Sequence, residues 1–556
     1  MSVDTAPQQP QGKRRDFALK REVGLIGLMW ASMGSIIGSG WLFGAQEGLI
    51  AAGPAVIFAW LIGAVCMLVL ALVHAELGAM FPVSGGTARF PHYAFGGAVG
   101  ASFGWFSWLQ AATVAPIEVS AMLTYAQHYS FAHSWVKLNG TLTATGIVVA
   151  VILMALFVAI NFLGVRMLAN ANSAMTWWKV AVPLLTIIVL SFANFEPSNL
   201  HAANGFAPGG LKAILEAVST GGIIFSYLGF EQADQLAGEA KNPKRDIPLA
   251  IIGSMVIGTI VYVLLQIAFI FSLPHSAIGK TWDDTGQKAY FTLFTSPFAE
   301  IATLVSVGWL ATIIYLDAII SPAGTGVIYT TGSSRVAYGL SRNGYVPSVF
   351  EWTNKRGVPW VGLVAAFITG CVCFLPFPSW QSLVGLITSA SVLMYAGAPL
   401  SLSAFRKRLP DQERPFRLPA AEILSPIAFA ISGLIILWTT WDTDWKLGVS
   451  ILIGYAILIA NRLFNLNQEH QPLLDWRAAS WLPVYLVGMG VIVYISSFGP
   501  MDSPVLTFGW DMAVTVVFSF AIFYWAMQVC LPKEKIEQMM EEVVLPEEEG
   551  MGAPAH

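Results

Sequence analysis

Four ionisable side chains lie inside long apolar runs of this 556-residue chain: Glu118, Lys179, Glu231 and Asp317. A charge at the centre of a lipid bilayer costs at least ~2.5–3.5 kcal/mol, so each is a candidate for binding or proton transfer. Carboxyl and ammonium groups both exchange protons, and a set containing both can hold a zwitterionic or charged solute. Lys179 follows Asn172 and Thr176 at helical spacing and shares their polar face. Asp317, Ser321 and Thr325 recur every four residues, a polar stripe along one helix face. Pro322 leaves the carbonyl of Ala318 without its helical donor, and Pro116 does the same for Ala112, just before Glu118. Both carboxylates therefore sit beside a helix irregularity, where a polar cavity can form. Each residue also has a plainer reading. Glu118 and Asp317 suit carboxyls bonded to a neighbouring helix, and Glu231 a packing residue on free backbone amides. Lys179 suits a fixed charge on freed carbonyls or one reaching for an interface.

Two of the apolar runs are rich in glycine near their middles. GSIIGSGWLF (34–43) holds Gly34, Gly38 and Gly40, and GGIIFSYLGFE (221–231) holds Gly221, Gly222 and Gly229. Counted as helices 1 and 6, the two runs occupy corresponding places if helices 1–5 and 6–10 form repeats. Matched interrupted helices are the sequence sign of a transporter site. Unwound backbone at membrane depth is tolerated only where it is packed in protein or lines a cavity. Its N–H groups and half-helix N-termini suit a carboxylate, and its carbonyls an ammonium. The alternative is close helix contact of the small-xxx-small type.

The elements that must position these residues are transmembrane helices. The chain is 56% apolar and 11% charged, where soluble domains run near 25% charged. A secreted domain, a soluble enzyme and a nucleic-acid binder are excluded. Apolar runs at 23–50, 54–80, 98–129, 143–164, 170–194, 211–236, 248–272, 299–331, 359–376, 381–405, 421–440, 446–463, 481–498 and 508–531 predict about 14 transmembrane helices in an all-α polytopic membrane protein. With residues 1–22 as a cytoplasmic tail, alternate loops place 23 Lys and Arg inside and five outside, with Lys179 inside a span. That bias predicts cytoplasmic termini at both ends. The first apolar segment is too long for a signal peptide and is read as a retained helix. Residues 23–405 form a ten-helix core (repeats 23–194 and 211–405), 421–531 four further helices and 532–556 an acidic, solvated tail. The extra helices suit a scaffold or a homodimer face. Cys66, Cys371, Cys373 and Cys530 read as small buried hydrophobes, and no metal site is expected.

The motifs GSIIGSGWLF, AELGAMFPVSGG (75–86), GVRMLANANSAMTWWK (164–179), GFEQADQLAGEAKNPKRDIP (229–248), SRVAYGLSRNGYVP (334–347) and RPFRLP (414–419) occur in order. As a set they resemble the amino acid–polyamine–organocation superfamily of permeases. The variants GWLFG, SPAGTG (321–326) and PIE (116–118) make the chain most like the branch containing bacterial aspartate–proton symporters. The resemblance implies a five-plus-five inverted-repeat fold working by alternating access, with the amino acid's carboxylate and amine held at the breaks of helices 1 and 6. By motif, substrate contact carries over to Ser35, Gly38, Ser39 and Gly40, and to Phe225, Ser226, Tyr227 and Gly229. Phe225 matches the family's aromatic gate. In relatives with a lysine at the Lys179 position, the ammonium takes the place of a sodium ion and links helices 1, 5 and 8. Glu118 is assigned to the substrate, and Lys179, Asp317, Ser321 and Glu231 to proton coupling. KNPKRDIP (241–248) is expected to shape an inner gate, and Glu76 to tie helix 2 to the loop after it.

The expected function is proton-coupled symport of an amino acid in a cell membrane, with acidic substrates ahead of neutral or cationic ones. No cofactor beyond the proton gradient and no nucleic acid partner are expected. An enzyme would need a nucleophile–base pair or facing aspartates at one depth, and a channel a selectivity loop; neither is recognisable. A permease-like sensor would carry a long cytoplasmic extension. A disulfide-linked ancillary subunit would call for a cysteine in 130–142, which has none. Substrate charge and residue chemistry pull apart: Glu118 and Asp317 repel an anion unless one of them is protonated when it binds, and no Arg lies in a span to pair with it.

Overall fold

The computed structural model describes residues 23–82, 86–137, 140–162, 165–202, 205–278, 294–375, 379–468 and 472–548, without the side chains of 165–174 and 541–548. Expectations for the tail at 1–22, for Lys280 and Lys288, for the Asn172 side chain and for the glutamates from Glu541 onward lie outside that description.

Every apolar run read from the sequence carries helix. Helix 1 is split into α1a (Leu25–Ile36) and α1b (Gly40–Ala52), followed by α2 (Val56–Met80), α3 (Gly97–Ala126), α4 (Ala144–Phe162) and α5 (Val165–Ala193). Helix 6 is in three pieces, α6a (Gly210–Thr220), α6b (Ile223–Tyr227) and α6c (Gln232–Gln235). Then come α7 (Pro243–Ser272), α8 (Gly308–Arg342), α9 (Trp360–Cys373), α10 (Trp380–Arg408), α11 (Ala421–Trp438), α12 (Trp441–Leu463), α13 (Trp481–Ile495) and α14 (Trp510–Val529). Among the described residues there is no strand, only isolated bridges. Among the described residues, nine candidate spans are long and apolar enough to cross a membrane, with shorter apolar helices at Leu25–Ile36, Trp360–Cys373 and Trp481–Ile495.

Burial sorts the helices into layers. α3 and α10 are enclosed along almost their whole length, small residues alternating with large ones, and they form the centre. α10 starts with a capping box in which Ser379 and Ser382 satisfy each other's backbone N–H. α4 and α12 bury only a narrow stripe, leaving side chains such as Ile152 and Leu452 exposed, as a lipid-facing helix requires. α3 packs on α8 and α10, α7 on α2 and α1a, and α5 on α1a, α7 and α8. α11 lies on α10 and α14, and α12 on α10 and α3, so the C-terminal helices are built onto the central pair.

Several details differ from the sequence expectation. Glu76 is tied to the far end of α10 instead of to the loop after helix 2. It accepts from Arg406 Nε (3.0 Å) and Nη2 (2.6 Å) and from the N–H of Leu418 (2.7 Å). RPFRLP folds back over the end of helix 2, and the carboxylate takes the donors it brings. The acidic tail is helical over Lys533–Glu548: Ile536 is buried, and Lys535 bonds Asp475 at 2.9 Å, which anchors the first turn. Three cysteines are buried as expected, but Cys371 on α9 is part-exposed.

Candidate functional site

Helix 1 leaves its helical path at Ile37 (φ −90, ψ 88) and resumes at Gly40. The break is possible because residue 38 has no side chain. A Cβ on Gly38 would lie 2.6 Å from Glu118 Oε1 and 2.9 Å from Thr325 Oγ1. The start of α1b leaves backbone N–H groups without helical acceptors and carries the positive end of the helix dipole. Glu118, fully buried on α3, reaches that end: its Oε2 accepts the N–H of Ser39 at 2.9 Å. Its other oxygen, Oε1, has no donor among the described residues. A carboxylate from another helix thus occupies the anion position that the break creates.

Lys179 lies on the opposite side of the same break. Its Nζ, in a side chain only 1% exposed, donates to the carbonyl of Gly34 at 2.5 Å and to Thr325 Oγ1 at 2.6 Å. One ammonium therefore joins α1a, α5 and α8. The polar stripe of α8 continues from Thr325 through Ser321 to Asp317. Asp317 accepts from Ser321 Oγ (2.9 Å) and, across to α1b, from Trp41 Nε1 (3.0 Å). Lys179 is within electrostatic reach of both Glu118 and Asp317.

Helix 6 breaks twice. Gly222 takes a left-handed conformation (φ 78) between α6a and α6b, and the chain is extended at Leu228 before Gly229 (φ 124). A Cβ on Gly229 would stand 2.7 Å from the backbone N of Ile36, so the unwound turn of helix 6 touches the backbone of the last turn of α1a. Glu231 holds this turn. Its Oε2 accepts from the N–H of Gly229 (2.8 Å) and from Tyr395 OH (2.7 Å). Its Oε1 accepts from Gln110 Nε2 (3.1 Å) and Tyr329 OH (3.2 Å). Four donors from helices 3, 6, 8 and 10 thus converge on one carboxylate.

The comparisons match this architecture. A sequence model described as amino acid permease covers residues 23–523. The chain belongs to that family. The permease is 36% identical over 524 residues to the aspartate-proton symporter of Bacillus subtilis, covering 93% of this chain and 98% of the relative. It is 35% identical over 539 residues to the glutamate/serine transporter AimA of the same organism, covering 94% and 96%. The branched-chain amino acid permease BcaP, also from that organism, is more distant, 27% identical over 469 residues with 81% and 95% covered.

The motif residues of the permease fall into separate groups. Ser35, Gly38 and Ser39 meet Glu118, Thr325 and Gly229 around the breaks, and the buried Ser35 hydroxyl has no partner among the described residues. Gly40 and Ser226 form a close helix contact instead, where a Cβ on Gly40 would lie 2.5 Å from Ser226 Oγ. That hydroxyl donates to the carbonyl of Gly222 at 2.7 Å. Tyr227 faces away, packed on Trp60 and Tyr262, with its hydroxyl on the Trp60 carbonyl at 3.1 Å. Phe225 stands edge-on to Trp380, their ring centroids 5.7 Å apart.

Trp380 is a site residue that sequence reasoning missed. Its Nε1 donates to Ser39 Oγ at 2.9 Å, and its ring also lies against Phe43, so it covers the helix 1 break from the side of α1b. A tryptophan opening a helix otherwise rich in small residues was the available signal. At the other end, Val23 pairs in parallel with the stretch before KNPKRDIP: its N–H donates to Glu239 O (2.9 Å), and the N–H of Lys241 donates back to Val23 O (2.8 Å). Trp380 thus covers the break beside α1b, while Val23 ties the start of helix 1 to the stretch that follows helix 6.

Proposed function

We propose that this permease is a secondary active transporter that carries an amino acid together with protons by alternating access, with acidic amino acids as its preferred substrates. The observation that carries this reading is the Glu118 carboxylate on the Ser39 N–H. That N–H, at a helix N-terminus, is the natural seat for a substrate's α-carboxylate. A substrate anion and an ionised Glu118 compete for it. A proton on Glu118 removes its charge and yields the seat, so one carboxylate enters as another is neutralised. This resolves the conflict between an acidic substrate and buried acidic side chains. Both relatives at 35–36% identity are named for an acidic amino acid, one of them with a proton. Lys179 serves as the coupling cation joining helices 1, 5 and 8, and Asp317, Ser321 and Glu231 complete the proton-linked set.

The same reading takes all fourteen apolar runs as crossings, with the ten-helix core at 23–405 and the four helices at 421–531 as its support. The charge bias puts both termini in the cytoplasm of a cell-membrane protein. The proton gradient is the energy source, and neither a cofactor nor a disulfide-linked subunit is required.

Uptake into proteoliposomes tests the proposal. Aspartate accumulation should rise as external pH falls. A mono-anion carried with one proton moves no net charge, so uptake should be nearly blind to a potassium–valinomycin potential, whereas a net charge would feel ~2.3 kcal/mol per 100 mV. Serine in one relative's name favours a second reading, a neutral amino acid carried with a proton. That reading predicts voltage-dependent uptake. Better competition by lysine, arginine or a polyamine than by aspartate would refute the acidic assignment.

A further inference from the structure

Three residues past Glu231, and turned to another side of the bundle, Asp234 on α6c is fully buried, and neither of its oxygens has a hydrogen-bond donor among the described residues. A buried carboxylate without donors or a counter-charge is strongly destabilising, and such a group in a membrane protein is expected to have work to do. The fold also keeps space for it. Gly78 of α2 faces Asp234 Oδ1 so closely that any Cβ there would collide with it. One turn earlier on the same face lies His74, also fully buried. Its Nδ1 donates to the Leu70 carbonyl at 3.0 Å, leaving Nε2 as an acceptor with no partner among the described residues. The His74 ring stands edge-on to Phe230 and to Tyr395, both 5.4 Å away, and Tyr395 OH is on Glu231.

The charged surroundings single out this carboxyl. α6c packs on α1a, α2, α7, the short helix Gly86–Phe95 and the turn Ala237–Glu239, whose Glu239 is paired with Arg335 at 3.6 Å. The described part of α1a brings no titratable group. α2 brings His74 and Glu76, the latter already held by Arg406 and Arg414. α7 brings Lys244, Arg245 and Asp246 at its start, with Lys244 paired to Glu413 at 2.8 Å. The short helix brings Arg89, His92 and Tyr93, with His92 Nδ1 on Tyr345 OH at 2.5 Å. None makes a described ion pair with Asp234, and the charge that acts on it is that of Glu231.

We propose that Asp234 is a second proton-carrying carboxyl of the transporter, held on α6c against Gly78 of α2, between the helix 6 break and the end of the bundle where Val23 pairs with Ala240. It keeps its proton while that pairing is intact. When the Val23–Ala240 pairing parts and water reaches α6c, the Asp234 O–H bond breaks, the proton leaves to water and the carboxylate remains until the next cycle. This rests on the proton-coupled reading above and adds the route by which the proton departs.

The experiment compares wild type with Asp234→Asn in proteoliposomes, following labelled aspartate and internal pH together. Asparagine keeps the size and loses the proton. Aspartate counterflow, which needs no net proton movement, should stay within about twofold of wild type. Accumulation driven by a pH gradient and aspartate-linked proton entry should each fall at least tenfold, and Asp234→Glu should restore both in part. Wild-type proton flux and accumulation in Asp234→Asn would overturn the proposal. So would equal loss of counterflow in a monodisperse variant, which would mark Asp234 as structural. If the variant does not fold, labelling of wild type by dicyclohexylcarbodiimide, which attacks protonated carboxyls in apolar surroundings, decides: modification of Asp234 that blocks proton-driven uptake supports the route, and no label there during turnover refutes it. Wild type without proton-driven uptake would fail the parent reading instead.

Discussion

The ammonium of Lys179 donates to the carbonyl of Gly34 at 2.5 Å, so the last turn of helix 1 before its break is held by a positive charge on helix 5. Any group that changes this charge changes how firmly helices 1, 5 and 8 hold together, which is what a coupling residue must do. Lys179→Met keeps the stem and removes the charge. It leaves the Gly34 carbonyl and Thr325 short of a donor, at a cost of about 1–3 kcal/mol. Proton-driven accumulation should fall at least tenfold while counterflow persists, and the thermal midpoint in detergent should drop by a few degrees. Uphill uptake equal to wild type would remove Lys179 from the coupling set.

Gly38 and Gly229 look alike in the sequence, and the structure separates them. At Gly38 a methyl group meets side-chain atoms, Glu118 Oε1 and Thr325 Oγ1. Gly38→Ala should therefore fold, and its methyl group should fill the space at the break that the substrate's backbone groups need, weakening aspartate binding at least tenfold. At Gly229 the backbone has φ 124 and the methyl group would meet the backbone of Ile36. Strain of about 1–3 kcal/mol adds to a clash that no rotamer relieves, so Gly229→Ala should lose folded yield as well as binding. Size-exclusion profiles and binding measurements on both variants check the contrast; equal yields would contradict it.

Apolar length and the 23-to-5 charge bias made the helices legible, because both are sums over many residues. The site was legible only in part. Local signals, the glycines of two runs and charges inside spans, named Gly38, Gly229, Glu118, Lys179 and Asp317. Partnerships between distant positions were not visible: Glu118 with Ser39 is 79 residues apart and Trp380 with Ser39 is 341. Tyr227 shares a motif with Phe225 yet faces α2, since residues two apart on a helix point about 200° apart. Asp234 drew no notice because it lies near the end of its apolar run, in a motif where Gly229, Glu231 and the loop KNPKRDIP carried the signals.

Glu231 should matter to folding, because four donors from four helices depend on it. Glu231→Ala strands the Gly229 N–H and two tyrosine hydroxyls, a loss of about 3 kcal/mol or more. Its thermal midpoint should fall well below that of Glu231→Gln, which keeps one or two of these bonds. A midpoint for Glu231→Ala within a degree of wild type would show that helix 6 holds its unwound turn by other means.

The last prediction concerns the sign of the pH effect at Glu118. Lowering the pH puts a proton on this carboxyl, weakens its hold on the Ser39 N–H and frees the helix N-terminus for the substrate. Aspartate should therefore bind more tightly as pH falls, by up to tenfold per unit where one proton is taken up with each substrate, since coupling between two ligands is reciprocal. Free aspartate's side chain titrates near pH 3.9, so between pH 5 and 8 the slope belongs to the protein. Glu118→Gln imitates the neutral acid and cannot regain the charge. Its affinity should stay near the wild-type low-pH value across that range, and substrate-linked proton entry should be lost. A variant that binds aspartate with the wild-type slope would put the linked proton on another group, and the competition at Ser39 would no longer explain the coupling.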